Sequence, residues 1–89
     1  MAVLLVTYEK TNPGHDYDPL DWYLMQHVSC QISEHAWLLE TSISSIQVGE
    51  VLRPLVDVND LVLIAQVTRN WVCHKDRISN WLRDPSRDW

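Results

Sequence analysis

The stretch AVLLVTY, Ala2–Tyr8, decides the fold: seven residues, apolar almost throughout, that run directly into an acid, Glu9. Strict alternation would mark a strand with one wet face, whereas a continuous apolar run marks a strand covered on both faces. A second such run, LVLIAQVT at 61–68, lies near the other end of the main body. Two doubly covered strands in a chain of 89 residues set the problem that the rest of the sequence must solve.

Working outward, Thr11-Asn12-Pro13-Gly14 is a turn by composition. Asp18-Pro19 then predicts a helix start, with Asp18 as cap, Pro19 in the first turn and Asp21 favoured by the positive end of the helix dipole. Leu20, Tyr23, Leu24, His27 and Val28 recur at helical spacing and predict one buried face. Residues 30–41 read as a hairpin, with a short strand at 30–32, a turn at Ser33-Glu34 and a second strand at 35–41. Ser44 with Gln47 three positions on is a capping box, and Val48, Val51, Leu52 and Leu55 follow at i, i+3, i+4 and i+7. Pro54 ends or kinks that helix. A third, short helix follows, capped by Asp76, with Ile78, Trp81 and Leu82 on its buried side and Asp84-Pro85 closing it. Ser86 to Trp89 is expected to be mobile unless Trp89 docks.

The order strand, helix, strand, strand, helix, strand is that of an α+β, ferredoxin-like βαββαβ domain: an antiparallel sheet with two helices on one face, plus a short C-terminal helix. Residues 1–70 are expected to form that domain, and 71–89 a helical appendage and tail belonging to it. This plan leaves the other sheet face open while the strands remain apolar there. A bare apolar sheet face is not tolerated on a soluble monomer. Either a second copy stacks on it, or the C-terminal helix covers it from within the chain. The two-fold dimer is the economical answer, with Leu4, Val6, Leu61, Leu63, Trp71 and Trp81 as its expected interface.

Composition narrows the function classes. The net charge is −5, with residues 1–68 carrying two basic residues against nine acids and residues 69–89 five against three. An acidic body disfavours tight binding of nucleic acid, which relies on Lys and Arg displacing counterions. No apolar run approaches a membrane span, and no basic n-region with a small-residue cleavage site opens the chain, so a cytoplasmic, reducing location is expected with Cys30 and Cys73 as free thiols. Cys30, His35, Cys73 and His74 match no standard zinc spacing. With two glycines in the chain, no phosphate-cradling loop is available.

The segments VTYEKTNPG (6–14), EHAWLLET (34–41), LRPLVDVNDLVLIAQVT (52–68) and NWL (80–82) resemble the small SinR-like family of bacterial and mobile-element proteins. In plan the chain is similar to the CRISPR-associated adaptation nuclease, the non-catalytic dimer at the centre of the spacer integrase, and to VapD-type endoribonucleases. The resemblance implies a ferredoxin-like homodimer in a defence or mobile-element context. It also implies a metal ligand at the end of the first strand, contributed by each protomer near the two-fold axis. That position is Glu9, preceded by Tyr8. The family pattern has Asp there. Glu carries its carboxylate roughly 1 Å further out, and magnesium demands near-ideal octahedral geometry.

Two functions follow from these residues. One is a non-catalytic interaction module that binds a protein partner. The other is a Mg- or Mn-dependent endoribonuclease with Glu9 as ligand and Tyr8 beside it, activating water against a phosphodiester. Glu9 also reads simply as an exposed acid that ends a strand, and Tyr8 as a packing residue with a wet hydroxyl. Asp16, Asp18 and Asp21 are better explained by capping than by metal. His15 and His74 are candidate general bases without a telling companion. Of the five tryptophans, Trp37 and Trp71 read as packing residues, while Arg69 near Trp71 and Arg83 near Trp81 are the only basic–aromatic pairings in sight.

Overall fold

The computed structural model describes residues 1–89. Four strands, β1 (Ala2–Tyr8), β2 (Val28–Ser33), β3 (Ala36–Thr41) and β4 (Val62–Val67), form one sheet in the order β2-β3-β1-β4. Every neighbouring pair is antiparallel. Three helices, α1 (Asp18–Met25), α2 (Ser45–Leu52) and α3 (Asp76–Arg83), complete an α+β fold. No helix is long and apolar enough to cross a membrane.

The local signals act largely where the sequence puts them. Ser44 Oγ accepts from the Gln47 amide at 3.1 Å and Gln47 Oε1 accepts from the Ser44 amide at 2.9 Å, so both halves of the capping box close. Pro54 ends α2 in a short 3-10 turn, Arg53–Leu55. Some boundaries differ. Asp18 and Asp76 are the first residues of their helices rather than caps, and Asp16 Oδ1 instead accepts from the Asp18 amide at 3.0 Å. α1 stops at Met25, because Val28, expected on its buried face, opens β2 opposite Glu40 and is exposed. Strand pairing overrides the helical spacing there. The hairpin turn falls at Glu34-His35, and the register slips between Gln31 and Ser33.

Register fixes which residues share a face. Leu4, Val6 and Tyr8 of β1 align with Leu39 and Trp37 of β3 and with Ile64 and Val62 of β4. Against them pack Leu20 and Leu24 of α1 and Val48 and Leu52 of α2, all fully buried. Leu4 and Val6, expected at a dimer interface, are therefore core residues beneath two helices, 1 % and 0 % exposed. An apolar strand gives no sign of which alternate set meets the helices.

The opposite face is covered from within the chain. Ile78 and Leu82 of α3 bury themselves against Val3, Cys30 and Leu38, with Trp71, Trp81 and Trp89 packed around them. The expectation of two helices on one face and a bare face opposite is corrected to this extent. Each of these aliphatic side chains contributes about 1.5–3 kcal/mol by leaving water. Trp71 and Trp81, also expected at an interface with a second copy, serve this intramolecular cover. The tail docks as well: Trp89 Nε1 donates to the Leu82 carbonyl at 3.3 Å, and Arg69 Nε donates to the Trp89 carbonyl at 2.8 Å. What α3 leaves open is the β4 side of the sheet, where Leu61 and Leu63 are more than half exposed.

Candidate functional site

Glu9 follows the last residue of β1, and its amide donates to the Leu61 carbonyl at 2.9 Å. That bond extends the β1–β4 pairing by one step and turns the side chain out to solvent, where it makes no hydrogen bond or ion pair. No group of three or more His, Cys, Asp or Glu side chains converges in the single chain. Glu9 stands alone.

Tyr8 is 3 % exposed. Its hydroxyl accepts from the Trp37 indole at 2.9 Å and donates to Asp21 at 3.5 Å. Burial pushes the phenol above its ordinary pKa; the Trp37 hydrogen bond opposes this, and the Asp21 charge adds to it. The hydroxyl is a neutral, internally satisfied core group rather than a wet one. Tyr8 and Glu9 are adjacent in sequence yet lie in opposite environments, one buried and one exposed.

The polar density near the end of β1 lies in two loops instead. Asp60, just before β4, accepts from the Thr11 amide at 2.8 Å, the Thr11 hydroxyl and the Tyr17 hydroxyl at 2.6 Å each, and the Asp57 amide at 2.8 Å. Burial alone would raise its pKa. The hydrogen bonds from Thr11, Tyr17 and Asp57 outweigh that and hold the carboxyl well below the usual range. Asp57 is lowered too, first by the Asn59 amide and then by the Asn12 side chain. His15 Nε2 is engaged with the Leu55 carbonyl at 3.0 Å and its ring packs on Tyr17. Lys10 pairs with Asp21 at 3.6 Å and lies over the Tyr8 and Tyr17 rings. This cluster staples the β1–α1 loop to the loop entering β4. Every member has a partner inside the chain, so the cluster acts as a structural joint between the two loops. Asp57-Val58-Asn59-Asp60 reads in sequence as a turn. Two Asp and an Asn in four residues is an Asx-turn pattern, and that was the available signal.

The surface most nearly free of internal obligations is the edge strand β4. It sits at the end of the sheet, so one row of its N–H and C=O groups faces outward. The strand, VLIAQV, has no proline and no charge, the usual means of blocking an edge. Leu61 and Leu63, at 55 % and 58 % exposure, form with Ala65 an exposed apolar stripe on the α3 side of the sheet. The other edge, β2, is polar in sequence (VSCQIS) and broken by the register slip. Of the six interface residues expected from the sequence, Leu61 and Leu63 remain available on the surface.

The basic–aromatic pairings also differ from expectation. Arg69 lies over Trp89, Arg83 over Trp71 and Arg87 over Trp81, at 5.4, 5.2 and 4.3 Å from the ring centres. The helical path of α3 and the return of the tail across it decide these partners, and neither is encoded in sequence spacing.

Compared with known proteins, the chain matches no family model, no characterised protein and no solved structure.

Proposed function

We propose that this protein is a non-catalytic interaction module on a ferredoxin-like plan, which self-associates through β4 and offers its remaining surface to a protein partner. The carrying observation is the unblocked edge of β4 with its stripe of Leu61, Leu63 and Ala65. A two-fold pairing of β4 with a second copy, centred on Ile64, sets Leu63 against Ala65 of that copy and Leu61 against its Val67. Antiparallel neighbours in register share a face, so the two apolar stripes merge into one. The same pairing brings the acidic end of one strand, at Asp57 and Asp60, towards Arg69 of the other. The reason for a dimer is therefore an open edge rather than a bare sheet face. The strand order β2-β3-β1-β4 with its two intervening helices supports the ferredoxin-like reading, and the resemblance to SinR-like proteins is part of the same proposal. Two unpaired thiols suit a reducing, cytoplasmic setting.

The competing reading, a Mg- or Mn-dependent endoribonuclease, rests on Glu9 alone. In the β4-paired dimer the two Glu9 residues sit at opposite ends of the joined strands. At roughly 3.4 Å per residue they are on the order of 20 Å apart along the strand direction, too far to share one cation.

Sedimentation equilibrium of the wild type and of Leu63→Lys tests the proposal. The wild type is expected to sediment as a dimer, and the variant as a single subunit with an unchanged circular dichroism spectrum. A wild type that remains a single subunit at high micromolar concentration overturns it.

A further inference from the structure

Residues from the end of β4, the last turn of α3 and the tail border an open cleft of about 520 Å³, lined by Arg69, Trp71, Arg83, Asp84, Arg87 and Trp89 among others. Its size falls within the range of small-molecule sites, about 300–1,000 Å³. The walls have an unusual make-up for an acidic protein: three guanidinium groups, each laid over an indole, two of those indoles lining the cleft itself.

The arginines are not equivalent. Arg87 is committed to the fold, since Nη1 pairs with Glu40 and Nε donates to the Trp81 carbonyl. Arg69 uses only Nε, on the Trp89 carbonyl, which leaves its two amino groups without a partner. The Arg83 side chain makes no hydrogen bond or ion pair; it lies over the Trp71 ring, 5.2 Å from its centre. Asp84, the acid in the cleft, has Oδ1 taken by the Ser86 amide and hydroxyl. Arg69 and Arg83 thus outnumber Asp84, the one acidic side chain lining the cleft. Each arginine lies within cation–π range of an indole, at 5.4 and 5.2 Å, and their terminal amino groups are unspent.

We propose that this cleft binds a small phosphorylated ring compound of the size of a nucleoside monophosphate, with Arg83 and Arg69 on the phosphate and the ring stacked against the indole–guanidinium walls. A guanidinium is a planar fork whose N–H pair matches two oxygens of one phosphate. Planar guanidinium and indole faces accept a flat ring on their free side. A small ligand is favoured over a nucleic-acid strand by the charge map. Residues 1–68 carry −7, so a polyanion running out of the cleft meets a repelling surface, whereas a compact anion keeps its charge beside the arginines. None of the cleft's residues belongs to the exposed stripe on β4, and of them only Arg69 lies near the end of the β4 pairing, so Arg83, on which the test turns, stands apart from self-association.

Isothermal titration of the full chain with AMP and with UMP tests it, with adenosine, inorganic phosphate and a 5′-phosphorylated oligouridylate as separate arms. AMP or UMP is expected to bind and adenosine to bind at least about tenfold more weakly. Arg83→Ala is expected to weaken the mononucleotide by about tenfold or more, and Arg83→Lys by less, since lysine keeps the charge but not the fork. Arg83 supports no internal hydrogen bond, so its removal leaves the fold intact, and circular dichroism checks this. Lys75→Ala, a charge change at the start of α3 outside the cleft, is expected to bind as the wild type does. No mononucleotide binding up to about 1 mM overturns the proposal, as does equal affinity in Arg83→Ala. An oligouridylate that binds more than about tenfold tighter than UMP overturns the preference for a small ligand.

Discussion

Arg87 reaches back across 47 residues to Glu40, Nη1 to Oε1 at 3.2 Å, and the pair is almost wholly buried, with side-chain exposures of 10 % and 6 %. Glu40 lies on the sheet face that α3 covers, opposite Val3 and Val28. Its second oxygen accepts from the Asp88 amide at 2.8 Å, and the Arg87 plane lies 4.3 Å from the Trp81 ring centre. The tail is therefore clamped at a charge that would otherwise sit unpaired in an apolar layer. Removing one member of such a pair is far more damaging than replacing both. Arg87→Ala is expected to lose about 3 kcal/mol of stability in urea denaturation, and Glu40→Leu combined with Arg87→Met to recover much of it. Equal losses in the single and double variants would show that the clamp contributes nothing beyond packing.

Asp60 gives the fold an acid limit. Its carboxyl is held well below its ordinary value despite burial, by hydrogen bonds from Thr11, Tyr17 and Asp57. A carboxyl whose folded pKa is depressed stabilises the fold above its unfolded value, about 3.9, and that contribution disappears as pH falls toward the folded value. The contribution should thus be complete above about pH 5 and decline steadily below about pH 4. Asp60→Asn keeps the shape and removes the titration. Urea denaturation from neutral to acid pH should show a shallower acid decline in the variant than in the wild type, on a lower plateau at neutral pH. Parallel curves for the two proteins would place the acid sensitivity elsewhere.

How much of this was readable in the residues varies with the range of the interaction. The capping box at Ser44 and Gln47 and the stop at Pro54 act within a few positions, and the chain obeys them. β1 and β4 are evident from apolar content alone. What period-2 strands do not state is which alternate set meets which helix, so Leu4 and Val6 were expected on the wrong side of the sheet. Contacts set by tertiary return are further out of reach. Arg87 meets Glu40 and Trp81, and Arg69 meets Trp89, only because the tail folds back over α3. At the end of β1, adjacency in sequence suggested that Tyr8 and Glu9 act together. Strand geometry sends neighbours to opposite faces, so one became core and the other solvent-exposed.

Glu9 itself yields a simple expectation. As an exposed side chain without partners, its replacement by alanine should change stability by no more than about 0.5 kcal/mol. Labelled single-stranded RNA and duplex DNA, incubated with the wild type and Mg²⁺ or Mn²⁺, should remain intact, with Glu9→Ala indistinguishable from the wild type. Metal-dependent cleavage that vanishes in Glu9→Ala would replace the interaction-module reading with the nuclease one.

Gly49 offers a way to strengthen the layer that carries β4. It lies in the middle of α2 with no positive φ, so nothing in its backbone requires glycine. A Cβ built there would meet the Ile64 Cδ1 at 3.7 Å, an ordinary van der Waals contact with no other atom close by. Glycine inside a helix is about 1 kcal/mol less favourable than alanine, chiefly because the unfolded chain has more freedom to lose. Gly49→Ala should therefore stabilise the protein by roughly 0.5–1 kcal/mol and raise Tm by several degrees for a domain of this size. The added methyl would touch Ile64, the residue on which the β4 pairing is centred, from the helix side and not from the open edge. The gain should accordingly appear in the wild type and in Leu63→Lys alike. A gain confined to the wild type would mean that Gly49 acts through the dimer, and a loss in both would mean that α2 cannot accept the methyl without moving off the sheet.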